Sequence, residues 1–177
     1  MNRLFNEFHF VDFETVNDAV AADYLKLRDA GKVRKSHLFS GRYENIYIDR
    51  GQIAGLSILI PFWLASATEV LGLKADALRC GFWFNDMQPG DVTLPHSHDD
   101  DDEWLSGVYY LKVPENSGAL ILHTEGRQES IQAEPGKLVL FSSSNVHEVE
   151  KNRSQETRLS IGINFGSVSS PNTPPGE

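Results

Sequence analysis

The chain has 177 residues, 40% hydrophobic and 23% charged, which sets it among ordinary globular proteins with core enough for one unit and too little for two. Its formal net charge of -9 argues against non-specific binding to nucleic acid or to an anionic membrane, because both would repel it. The single cysteine, Cys80, excludes an internal disulfide and a cysteine-cage zinc site.

Met1 to Glu7 lacks the apolar core of a signal peptide, and the most apolar stretch, 58–65, is too short to span a bilayer. Both readings point to a cytoplasmic protein. Segment 8–13 alternates weakly and predicts a short strand. Thr15 or Asn17 then caps a helix running to about Ala30, with Val16, Val20, Tyr24 and Leu27 on one stripe and Gly31 as its stop. Alternation over 43–48 predicts a strand. A second helix is expected over 53–71, ended by Gly72 and either kinked or started by Pro61. Both helices read as supports for a sheet.

From Arg79 onward, Gly, Pro and Asn punctuate short strand-like runs. These cover 80–85, 91–98, 105–113, 119–123, 130–133, 137–141, 147–150 and 157–165. Cys80 opens the first of them, in an apolar run that suits a small buried side chain better than a nucleophile. The fold class is mostly β with supporting helices, built on a jelly-roll, cupin-like barrel. One domain is expected over 1–165, with 1–78 as support and 79–165 as barrel; the Ser, Pro and Gly of 166–177 predict a flexible tail.

Chemistry concentrates in two places. His96 and His98 are two apart, so on a strand their imidazoles share a face and can hold one metal. His147 follows the apolar run 137–141, and a barrel can bring it inward to the same ion. Asp100 would continue the face of the pair. Imidazole with oxygen ligands suits Fe(II). Arg158 and Ser160 likewise share a strand face, a planar fork beside a hydroxyl, fit to grip one carboxylate. Tyr109 and Tyr110 are adjacent, so one points in and one out; the residues alone do not choose between them. Trp83, Phe84 and Trp104 are aromatic candidates for a pocket wall or for core. His9, His37 and His123 read as structural or exposed, and the run Asp99 to Glu103 as a mostly solvated loop.

Several stretches taken together resemble the 2-oxoglutarate/Fe(II) dioxygenase superfamily over 80–165. They are Pro95-His96-Ser97-His98, Leu105-Ser106-Gly107-Val108-Tyr109-Tyr110-Leu111, Pro135-Gly136-Lys137-Leu138-Val139-Leu140-Phe141, His147-Glu148-Val149 and Arg158-Leu159-Ser160-Ile161-Gly162-Ile163-Asn164-Phe165. The resemblance implies a double-stranded β-helix, Fe(II) as metal and 2-oxoglutarate as cosubstrate. It implies oxidation of a small-molecule or peptide substrate, commonly to an alcohol, with release of succinate and CO2. The first motif usually reads His-x-Asp/Glu. The chain therefore offers two ligand sets: His96, His98 and His147, or His98, Asp100 and His147. The approach 90–96 favours the first. Arg158, Ser160 and Tyr110 become the cosubstrate-binding candidates. The rival is a cupin that does not use 2-oxoglutarate, in which Glu103 would ligate the metal and Arg158 would have no role. The N-terminal third could supply a homodimer surface.

Overall fold

The computed structural model describes residues 4–39, 41–98, 102–124 and 126–168. In chain order the elements are β1 (Phe5–His9), α1 (Phe13–Asp29), β2 (Arg34–Phe39), β3 (Arg42–Tyr47), α2 (Leu56–Leu71), β4 (Leu78–Met87), β5 (Thr93–His96), β6 (Glu103–Lys112), β7 (Leu120–Thr124), β8 (Arg127–Ile131), β9 (Lys137–Ser142), β10 (Val146–Val149) and β11 (Arg158–Ser167). They form a seven-stranded sheet ordered β1-β9-β6-β11-β4-β3-β2 and a four-stranded sheet ordered β5-β10-β7-β8. From β4 onward the chain passes back and forth between the two sheets, the winding of a double-stranded β-helix. No helix among the described residues is long and apolar enough to cross a membrane.

The larger sheet is sorted by the two-residue period of its strands. On β11, Leu159, Ile161, Ile163 and Phe165 join the core formed with α1 and α2. The alternate residues, Arg158, Ser160, Gly162 and Asn164, face the space between the sheets. Tyr109 and Tyr110 divide in the same way. Tyr109 packs with Trp63 under the helices, and Tyr110 belongs to the second core, with Met87, Leu122 and Phe141.

All eight strand-like runs become strands, with ends shifted by a few residues. β11 runs on to Ser167 because its ladder with β4 continues through Gly166↔Arg79 and Ser167↔Leu78. Two residues of the expected tail are therefore strand, and 169–177 lie outside the described residues. Four further differences fall in the first third and in the helices. The strand expected at 8–13 is instead Phe5–His9, because its ladder with β9 runs from Phe5↔Phe141 to His9↔Lys137. Helix α1 starts at Phe13 after a left-handed Asp12 (φ 56°), so neither Thr15 nor Asn17 caps it. Asn17 is buried instead. Strand β2 was not foreseen: it is polar and exposed, and a left-handed His37 (φ 56°) breaks its alternation. Pro61 neither starts α2 nor ends it; the helix begins at Leu56 and closes on a left-handed Gly72 (φ 66°).

Ile163 is fully buried between the central strand and the helices. Ile163→Ala should cost about 2–5 kcal/mol of stability. Urea denaturation would show this as a lower midpoint with an unchanged slope.

Candidate metal centre

His96 closes β5, and His147 stands directly opposite it on β10. His98 lies just past the end of β5, so the expected strand face does not carry it there. Its position comes from the backbone, where its N–H donates to Ser143 O at 2.9 Å. The three rings converge, with centroids 4.3 Å apart for His96 and His147, 5.0 Å for His96 and His98, and 5.2 Å for His98 and His147. One nitrogen from each ring can be chosen so that all lie within 4.8 Å of one another, and among the described residues this is the one cluster so arranged.

Two of the rings have a fixed tautomer. His96 Nδ1 lies 2.8 Å from Leu94 O, and His147 Nδ1 lies 3.1 Å from Asn145 O. A carbonyl can only accept, so Nδ1 holds the proton and Nε2 presents its lone pair. This is the outer-shell arrangement that orients a metal-bound imidazole. His147 is buried, and burial, reinforced by the neighbouring His96 and His98, pushes its pKa down to about 3. Phe141 packs on His147 with centroids 4.9 Å apart, and Trp83 stands 5.6 Å from His98. Three converging imidazoles, two of them with Nε2 lone pairs presented, fit a divalent cation. The alternative through Asp100 lies outside the described residues, as do Asp99 and Asp101 of the acidic run.

The cavity that reaches these histidines is also lined by Arg158, Ser160, Thr93 and Trp83. Arg158 is 1% exposed. Its Nη1 donates to Gly118 O at 2.8 Å, its Nε has no partner, and no carboxylate pairs with it among the described residues. The Tyr110 ring lies 5.1 Å from Arg158 Cζ. The Tyr110 hydroxyl and the Thr93 hydroxyl are also buried without partners. Burial raises the Tyr110 pKa and lowers that of Arg158. A desolvated guanidinium without a carboxylate partner can receive an anion. Tyr110 itself is not on the cavity wall; it stands against Arg158.

Trp83 lies flat against the central strand only because position 162 is glycine: a Cβ there would come within 2.4 Å of the indole. Of the other aromatic candidates, Phe84 faces the helices and Trp104 is exposed. His9 and His37 are exposed, and His123 pairs with Glu148 at 2.8 Å. Cys80 is packed at the edge of the core, with its thiol pushed up to about 12 by burial. Sequence reasoning missed Thr93 and the Trp83–Gly162 contact. Thr93 sits three residues before His96, inside a run already marked as strand, and facing direction was the signal available for it.

Fold and site together describe a double-stranded β-helix in which three histidines that could hold a metal ion share one cavity with a buried arginine. Residues 82–166 match the model of the 2OG-Fe(II) oxygenase superfamily, and that match supports an Fe(II)- and 2-oxoglutarate-dependent dioxygenase. No curated protein matches it in sequence. Several solved structures share its fold. A prolyl-4-hydroxylase from Pseudomonas putida is 22% identical, with 93% of this chain and 94% of that one covered and a TM-score of 0.69. The 2-oxoglutarate-dependent carbocyclase SnoK of nogalamycin biosynthesis is 15% identical, with 98% and 83% covered and a TM-score of 0.77. A prolyl hydroxylase from Trichoplax adhaerens, in complex with a peptide fragment of hypoxia inducible factor, is 20% identical, with 93% and 84% covered and a TM-score of 0.65. The cupin alternative fails on its own terms. Glu103 pairs with Arg79 at 3.1 Å, away from the histidines, and Arg158 lines the cavity.

The depressed pKa of His147 has a sign that can be measured in the metal-free protein. Unfolded, the imidazole takes a proton below about pH 6.5; folded, it does so only near 3. Its contribution to stability is therefore complete above about pH 6.5 and is lost as the pH falls through that window. Denaturation series in chelator should show a shallower loss between about pH 6 and pH 4 in His147→Gln than in the parent protein.

Proposed function

We propose that His96, His98 and His147 hold the Fe(II), that Arg158 with Ser160, Tyr110 and Thr93 holds the far carboxylate of 2-oxoglutarate, and that the enzyme hydroxylates a substrate admitted past Trp83. The unit doing this is residues 1–165, with 1–78 bracing the barrel. The observation that carries the reading is the buried Arg158, without a carboxylate partner among the described residues, in the same cavity as the three histidines. A buried guanidinium with no anion beside it is costly unless one joins it. A dicarboxylate with a 2-oxo group meets both ends of the cavity, one carboxylate at the guanidinium and the oxo acid toward the metal.

With O2, the bound iron and 2-oxoglutarate supply the oxidising chemistry, and succinate and CO2 leave. The residues of the chain do the rest. Leu94 O and Asn145 O hold two ligand imidazoles in the right tautomer and orientation. Gly118 O anchors one arm of Arg158, leaving Nε for the carboxylate. Phe141 and Trp83 wall the metal from solvent, which strengthens the electrostatic contacts inside. The prime substrate is a peptide residue or a small molecule. Proteins of the same fold include a prolyl hydroxylase in complex with a peptide fragment and a carbocyclase of nogalamycin biosynthesis.

Anaerobic addition of Fe(II) and then 2-oxoglutarate should give a visible charge-transfer band. A protein that binds the metal and gives no band contradicts the reading. Arg158→Gln should weaken 2-oxoglutarate binding about 10- to 100-fold, the loss of about 1.5–3 kcal/mol expected for hydrogen bonds to a charged group. Metal affinity should hold, and calorimetry with each ligand separates the two. Equal loss of both, in a folded variant, removes Arg158 from the role.

A further inference from the structure

We infer that Asn17, on the helix outside the barrel, is a positioning residue for the cosubstrate: it sets the backbone of β6 where Tyr110 stands against Arg158. This rests on the reading of Arg158 and Tyr110 as the carboxylate site.

The need for such a residue is visible in the strand register. Along β6, pairing with β9 ends at Tyr109↔Leu138. Pairing with β11 slips at the same place, since Ser160 faces Tyr110 but Leu159 faces Lys112. Leu111 is thus the extra residue of a bulge, the device by which a strand re-aims a side chain. A bulge leaves backbone groups without their ladder partners, and buried carbonyls need donors.

Asn17 supplies them. Its Nδ2 donates to Tyr110 O and to Leu111 O, each at 3.1 Å, across more than ninety residues of sequence. Its Oδ1 accepts from Tyr109 Oη at 2.8 Å. Gly136 N–H adds a second donor to Tyr110 O at 2.9 Å. The Asn17 side chain is 2% exposed and its three bonds go to three consecutive residues of one strand. The middle of the three is Tyr110, directly opposite Ser160 and beside Arg158. An ordinary core residue on α1 would need only to fill space, as Val20 and Ala21 do. Asn17 instead ties down the backbone carbonyls on either side of the bulge, next to the residue whose ring stands against Arg158.

The two halves of its amide can be separated. Tyr109→Phe removes the hydroxyl that Oδ1 receives and leaves both donated bonds. Asn17→Ala removes all three. Each variant is titrated with Co(II) and then, with the metal in place, with 2-oxoglutarate, at a temperature well below its melting point. Asn17→Ala should lose about tenfold in 2-oxoglutarate affinity. Tyr109→Phe should stay within about twofold of the parent, and Co(II) affinity should hold in both. A residue that only stabilises the helix would lower the melting temperature and leave the two affinities alone, and that result overturns the inference. If Asn17→Ala does not fold, Asn17→Asp, which keeps an oxygen for the Tyr109 hydroxyl and loses both donated bonds, carries the same comparison. A parent protein that binds Co(II) but no 2-oxoglutarate overturns the reading beneath and the inference with it. A parent that binds 2-oxoglutarate beside an unchanged Asn17 variant overturns the inference alone.

Discussion

The division of β11 into two faces is the constraint on which the rest depends. It is the central strand of the larger sheet, paired on both sides, and each of its residues from Arg158 to Gly166 is buried. One face gives four apolar side chains to the helices, each contributing about 2 kcal/mol on burial. The other gives Arg158, Ser160, Gly162 and Asn164 to the cavity. Taking a guanidinium out of water costs several kcal/mol. A strand anchored so firmly from behind can hold that charge in place, where a mobile segment would turn it out to solvent.

Polarity in the cavity is arranged by the same logic at two points. At the histidines, burial keeps protons off His147, and His96 and His147 present their Nε2 lone pairs. Around Arg158 no carboxylate among the described residues pairs with it, and Arg42 adds a second positive charge, so its own charge lacks compensation. Neither point is complete by itself, and they open into one space. A ligand that carries negative oxygens at both of its ends would relieve the two together, and the proposed cosubstrate is such a ligand.

Much of this was legible before any coordinates. Turn residues separated the eight barrel strands because local backbone chemistry is written locally. Arg158 and Ser160 could be paired because two-residue spacing on a strand fixes a face whatever the partners are; His98 reaches His96 by a different route, a backbone bond to Ser143 past the end of β5. His147 could be brought to the others because barrels return strands to one another. The harder features are those set by distant residues. Asn17 looked like a helix cap because capping is the commonest use of a buried-end asparagine; its real partners are three residues on β6. Strand β2 has no apolar face to announce it. The first strand begins earlier than its alternation suggests because β9 sets its register. Glycine at 162 carries no message until the indole of Trp83 is laid across it.

The pairing of His96 with His147 has a mechanical side as well. Strand β5 is the rim of its sheet, four residues long, and meets its neighbour in register only at His96↔His147 and Thr93↔Val149. On the proposed ligand set, an ion held by both imidazoles would staple that rim to the strand beside it. Metal occupancy and fraying of the rim then become two readings of one equilibrium: what pries the strand loose releases the ion, and loading the ion locks the strand down.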